Sequence, residues 1–494
     1  MHRTIQTPFW WLLLLFLPLG TVQAAPWVDP GEEQLRHHVQ VLADAGVISA
    51  PITTWPLSWG AIATDLELAG ESRLNASEQW SLAYVKFYLH RARNRFNLYA
   101  RAGAAADPVV IRDFASDQRE QYEMQGQLDW TGDQLAARLA LTWAPDATDG
   151  KDYRFDGSYV SGLLGNWAVT AGAIDRWWGP SWQSSLILSN NARPVPGVSL
   201  HRQGSQAFET PWLSWIGPWT LTMFAGQLES DRAVPNAKLL GARLAIKPLS
   251  SLELGFSRTA QWGGDGRPQD WDSFWNATIG NDNRDTEEVS GINDPSNQLG
   301  AVDLRWSFSV LDTQSALYLQ YVGEDESGGF PSRGMDLAGL ETAFSTGTVF
   351  HRFALEYADS MAGAHSGKRP NVAYEHSTYL SGYRYYGRNM APRLDNDSRS
   401  VSLLVDHYLT TGSQLSWRLA KLNINRDGLN RSGDFGGSPF QIEDTAILAE
   451  IRYSQVIKNF KVSTSVYNVD QKIQWEDETI DGTGFGVAIE YQTR

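Results

Sequence analysis

The chain has no cysteine in 494 residues, so neither disulfides nor thiolate metal sites can hold it together. It also lacks long apolar runs beyond its first twenty residues, which excludes helical membrane spans of about 20 residues downstream. Positive charge is in deficit: 41 Lys and Arg against 56 Asp and Glu leave a formal charge of −15, which argues against nucleic acid. That acidity is read as solvated loops. Sequence repeats of fixed period are absent as well. The nine His offer no metal-binding pair at helical or hairpin spacing in a plausible strand, and His37 and His38 are expected to point apart on a helix in structural or surface roles.

Arg3, the apolar run from Phe9 to Leu19 and the small-residue site Val22-Gln23-Ala24 follow the order of a secretory signal peptide. Cleavage is expected after Ala24, which makes 1–24 the leader; with no cysteine at the site, no lipoprotein anchor is expected. Aromatics are abundant, with 21 Trp, 18 Tyr and 19 Phe beside 44 Gly, while mean hydropathy is only −0.34. Transmembrane β-barrels combine these properties, because each strand hides its apolar residues one in two and carries aromatic girdles at the interfaces.

Residues 25–93 read as a helical bundle. Asp29-Pro30-Gly31-Glu32 resembles a helix start, Leu35, Val39 and Leu42 follow at helical spacing, and Gly46 ends the run. A second helix is expected from Ser58, with Trp59, Ile62 and Leu66 on one face. A third is expected from Ser77 to Arg93, facing inward with Trp80, Ala83, Tyr84 and Phe87.

From about residue 94 the period changes to two. Leu135, Ala137, Leu139, Leu141 and Trp143 share a face opposite Gln134, Arg138 and Thr142. Val302, Leu304, Trp306 and Phe308 alternate with Asp303 and Arg305, and Val349, Phe353, Leu355 and Tyr357 with Arg352 and Glu356. The alternation recurs in 446–453 and at Phe485, Val487, Ile489 and Tyr491. Charged residues in mid-strand suit a lumen rather than a sandwich core. Short connections are predicted near 131–133, 164–166, 216–218, 247–250, 310–313, 345–347, 410–413 and 455–458. Long polar ones are predicted near 106–118, 145–152, 177–197, 230–237, 263–297, 324–334, 360–397, 425–441 and 474–482. Strict alternation of the two kinds predicts a mainly β fold: an 18-stranded antiparallel transmembrane β-barrel over 94–494, tight turns on the periplasmic side and long loops outside. The ending Tyr491-Gln492-Thr493-Arg494 departs from the usual terminal aromatic, so the last strand is expected to stop near Tyr491.

Two aromatic clusters are the candidates for binding. One is Arg176, Trp177, Trp178 and Trp182 with Asn190, Asn191 and Arg193; the other is Trp262, Trp271 and Trp275 with Tyr383, Arg384, Tyr385, Tyr386 and Arg388. Indole faces stack on pyranose rings, amides bond hydroxyls, and arginine pairs with uronates, so both suit an anionic glycan. An interfacial girdle with a loop folded into the lumen explains the first cluster equally well, and loop packing the second. The acidic stretch 281–294 lacks the spacing of a calcium loop and is read as solvated. No serine is marked as an activated nucleophile, although His376-Ser377 and His407 are the candidates for a hydrolase, and no enzyme, metal or cofactor is expected.

Trp27, the stretch Trp55-Pro56-Leu57-Ser58-Trp59, Arg176-Trp177-Trp178-Gly179-Pro180 and Asn190-Asn191-Ala192-Arg193-Pro194 resemble the Wzi family of capsule assembly proteins across essentially the whole mature chain. The resemblance implies an 18-stranded outer-membrane barrel over a periplasmic helical bundle, acting as a lectin that holds capsular or exopolysaccharide at the cell surface. The partners implied are that polysaccharide, acidic by the clusters above, outer-membrane lipid and a contact with the export machinery, with the protein itself a monomer. A channel for polysaccharide or small solutes, suggested by Arg138, Asp303, Arg305, Arg352 and Glu356, is the competing reading; an outer-membrane lipase or acyltransferase is a third.

Overall fold

A computed structural model describes residues 25–70, 74–106, 111–115, 118–279, 296–311, 313–327, 330–364, 367–429, 437–476 and 478–493. Eighteen antiparallel strands, with two short flanking pieces at Tyr153–Arg154 and Gly367–Arg369, close on themselves. The last strand, Glu478–Gln492, pairs with the first, Phe96–Ala105, so that Glu490 lies opposite Arg101. Closure leaves no strand edge unpaired. The predicted strand number holds, and the last strand runs one residue past Tyr491.

The alternation seen in the sequence separates two surfaces. Leu139, Val302, Leu355, Val401, Ile451, Phe485 and Ile489 point outward and are exposed, whereas Asp303, Arg305, Arg352, Glu356 and Asp406 point inward and are buried. A protein in water puts its apolar residues inside; this barrel puts them outside.

The connections depart from strict alternation in three places. Strands Thr313–Ser327 and Phe330–Thr346 are separated by two residues, as are Phe460–Trp475 and Glu478–Gln492, so the long loops expected near 324–334 and 474–482 are largely strand. Polar residues there extend two hairpins instead of forming loops. At the other end, the tight turn expected at 216–218 is sixteen residues long, because one strand stops at Arg202 and the next begins at Trp219.

Three helices lie at the end of the tight turns: α1 Glu33–Asp44, α2 Trp59–Leu68 and α3 Ala76–Ala92. Helix α1 starts four residues after the expected cap, because Asp29 instead accepts from Trp27 Nε1 (3.0 Å) and pairs with Arg138 (2.5 Å). Asn75 and Glu78 form a capping box on α3. Its buried face is Leu82, Val85 and Leu89, and the expected Ala83 and Phe87 are exposed. Trp80 and Tyr84 instead pack on His38. The His37 and His38 rings are 5.0 Å apart instead of diverging, and both are buried against Tyr408 and Phe350. Burial, reinforced by Arg352, lowers the His37 pKa to about 3, so it stands neutral.

This N-terminal segment is tied to the inner wall by charge. Glu33 pairs with Arg418 (2.6 Å) and Asp44 with Arg305 (2.6 Å). Glu253 accepts the backbone N–H groups of Ile52 (2.9 Å) and Thr53 (2.8 Å). Arg243 forks onto Asp303 and donates to the hydroxyls of both Thr53 and Thr54. Each contact satisfies a charge or polar group that burial would otherwise penalise.

Candidate functional site

The segment 174–195, expected as an outer loop, turns back into the barrel. Trp177 and Trp178 form a two-residue antiparallel ribbon with Trp55 and Thr54 of the N-terminal segment. Gly179 N–H donates to Thr53 O at 3.0 Å. Glu356 of the wall then gathers four donors: Ser181 Oγ (2.7 Å), Trp182 N (2.7 Å), Gln183 N (2.9 Å) and Tyr318 Oη (2.6 Å). Tyr318 lies flat across Gly339, where a Cβ would stand 2.1 Å from its ring. The Trp182 indole donates to Glu341 (2.8 Å) and lies against two guanidiniums, Arg352 at 3.5 Å and Arg36 at 4.1 Å from its ring centre.

Segment 371–398 covers this one from the loop end. Tyr374 and Tyr383 donate to the carbonyls of Leu186 (2.8 Å) and Ile187 (3.2 Å). Asn191 Nδ2 donates to Asn389 O (2.8 Å), and Ser189 N–H to Met390 O (2.8 Å). Arg384 is clamped by Asp395 through two bonds and by Glu375 through one. The two segments share one buried apolar cluster with the wall, so the loop end of the lumen is filled by the chain itself.

The predicted binding residues therefore fall into two sets. Arg176, Trp177, Trp178, Trp182, Asn190, Asn191 and Tyr383 are buried and engaged in holding the filling, which is the alternative the sequence left open for the first cluster. Burial lowers the Arg176 pKa to about 10 against the opposing pull of Asp175. Tyr385, 6% exposed, also belongs to the buried apolar cluster, whereas Arg193 and Arg388 are half-buried and Trp271 and Trp275 lie at the surface. Arg193 is held by Asp156 and Asp149 (2.7 Å each) and stands 5.1 Å from the Tyr386 ring centre, beside Tyr385. Arg388 stands 4.9 Å from the ring centre of Trp475. Burial, with Arg119 adding like charge, lowers its pKa to about 10. Trp271 and Trp275 are 75% and 54% exposed on α4, Trp271–Ile279. The two sets of aromatics are thus not one surface.

A cavity of about 470 Å³ runs beside the filling, along the first three and last two strands. Its wall pairs opposite charges: Arg101 with Glu123, Arg138 with Asp129, Lys461 with Glu32. Asn190 and Pro194 border it, with Asp175, whose carboxyl burial raises to about 6. Arg119, which donates to the carbonyls of Asn190, Asn191 and Ala192, was missed from sequence because it stands alone in a polar loop. Also missed was a pair of imidazoles: His351 and His407 face each other across adjacent strands, Nδ1 to Nδ1 at 2.8 Å, a pair outside the helical and hairpin spacings that the sequence reading considered. The pairing is invisible to hairpin spacing, since 55 residues separate the two. The acidic stretch 281–294 lies outside the described residues.

A family model described as capsule assembly protein Wzi matches residues 91–478. The chain belongs to the Wzi family. A solved Escherichia coli structure aligns with a TM-score of 0.82 at 27% identity, covering 94% of this chain and 99% of that one. Its description is Wzi, an outer membrane protein involved in group 1 capsule assembly and a carbohydrate-binding β-barrel. An uncharacterized 55.8 kDa Klebsiella pneumoniae protein from a cps region is 34% identical over 330 residues. That match takes in 66% of this chain and 64% of the relative, slightly under two thirds of its length. The motif residues that carried the Wzi resemblance, Trp55 and Arg176 to Pro180, are those that join the N-terminal segment to the lumen filling.

Proposed function

We propose that this protein is an outer-membrane, lectin-like barrel that binds exported capsular or exopolysaccharide and attaches it to the cell surface. The leader 1–24 directs export, the helices of 25–93 stand at the periplasmic end while 52–55 reach into the lumen, and 94–494 crosses the membrane with its long loops outside. Support comes from the outward apolar belt, which is suited to lipid and unsuited to water. The observation that carries the reading is the filled lumen: Glu356, with its four donors, fixes the barrel's own chain where a polymer would otherwise pass. The barrel then acts through its outer face, where Trp271 and Trp275 offer indoles for sugar faces and the half-buried Arg193 and Arg388 offer guanidiniums for acidic groups. The protein works without catalysis, as a monomer beside the export machinery.

The test compares cells with and without the protein, measuring polysaccharide attached to cells and released to medium. Loss of the protein is expected to move polymer from the first pool to the second; unchanged pools would overturn the attachment role. Purified protein should bind the organism's own acidic polysaccharide, more weakly after Trp271→Ala with Trp275→Ala.

A further inference from the structure

Of the eight connections at the helix end, seven are tight turns and one is the sixteen-residue loop 203–218. Its first residues continue the alternation of the strand before it. Gln203 and Ser205 turn inward, bonding Ser58 and the carbonyl of Ala61. Arg202 faces outward and donates to the carbonyls of Trp219 (2.6 Å) and Gln206 (3.0 Å). Its guanidinium stands 3.8 Å from the Trp219 ring centre, and Phe208 stacks on the same indole at 4.8 Å. Trp219 belongs to the outward row of its strand, with Leu221 and Met223, so the loop folds back onto the outer wall. Gly217, at φ +67°, makes the return possible: a Cβ there would lie 2.0 Å from the carbonyl oxygen of Lys247.

The result is a pad with little reason to face water. Trp212 and Trp215 are 72% and 65% exposed, and Glu209 is the one charged residue between 203 and 218. The turns on either side add exposed Leu164 and Leu249. The pad is continuous with the outward apolar row of Val198 and Met223. A protruding aromatic patch of this kind marks an interaction surface, and indoles with free edges settle where acyl chains meet headgroups.

We propose that loop 203–218 is a lipid anchor: Trp212 and Trp215 lie in the headgroup region of the leaflet at the helix end, holding the barrel at a fixed depth there. The proposal rests on the outer-membrane reading above. Because the chain has no cysteine, single Trp212→Cys, Trp215→Cys, Leu355→Cys and Asp133→Cys variants each carry one nitroxide label. The labelled full-length proteins are placed in phosphatidylethanolamine–phosphatidylglycerol vesicles, and relaxation by oxygen is compared with relaxation by a water-soluble nickel chelate. Labels at 212 and 215 are expected to favour oxygen, less strongly than the belt label at 355 and clearly more than the turn label at 133. If 355 favours oxygen while 212 and 215 match 133, the anchor is overturned, and the loop faces water or a periplasmic protein. If 355 also matches 133, the membrane reading itself fails and takes the anchor with it.

Discussion

Leu355 and Glu356 are neighbours on one strand and meet two different media. Leu355 is 53% exposed on the outer wall amid Val401 and Leu403, while Glu356 is buried in the lumen under four hydrogen-bond donors. The same division repeats along the barrel, with Val302 outside Asp303 and Trp306 outside Arg305. The inner wall is stabilised by bonds each specific to one partner; the outer wall needs only an apolar solvent. Substitutions inside should therefore be punished for the partner they orphan, and those outside for the charge they carry.

The largest effect is expected inside. Glu356→Ala strips four donors of their acceptor and should cost about 3–5 kcal/mol. Unfolding in guanidinium from vesicles would show the loss, and protease should reach 174–195 before the wall gives way. Leu355→Arg tests the opposite face: a cation there should cost about 2–4 kcal/mol in lipid, and nothing comparable if that face met water. Glu253→Gln weakens the hold on Ile52 and Thr53, costing about 1–3 kcal/mol. Limited proteolysis should then release the N-terminal segment from an intact barrel.

The smallest effect concerns pH. Burial raises the Asp397 carboxyl to about 7, only partly offset by the Asn371 N–H it accepts. A carboxyl whose folded pKa exceeds its unfolded value of about 3.9 stabilises the fold below that value. That contribution fades as pH rises from about 4 to about 7. Once the intrinsic base-catalysed rate is divided out, protection of 371–398 against hydrogen exchange should fall between about pH 4 and about pH 7, and Asp397→Asn should flatten the change.

The wall was legible in the sequence, because alternation such as Leu135 to Trp143 survives wherever one face is an exposed apolar belt and the other lines the lumen. Beyond the apolar belt that constraint lapses. Residues 324–334 therefore read as a loop although strands Thr313–Ser327 and Phe330–Thr346 occupy nearly all of it. The loop 203–218 misled in the opposite sense, since Trp212, Leu213, Trp215 and Ile216 look like strand. The direction of 174–195 was undetermined: serines and indoles serve a lumen and a sugar-binding loop alike, and only the distant Glu356, Glu341 and Arg36 decide. Of the binding residues, chemistry was readable but burial was not. Trp178 and Trp271 are alike in sequence and opposite in place.

A barrel filled by its own chain, as proposed, holds polymer outside instead of conducting it. Planar-bilayer recording of the purified full-length protein tests this most directly. The account predicts no steady open-barrel conductance, with current rising when Glu356→Ala loosens the filling; a steady open-barrel conductance from the unaltered protein would contradict it.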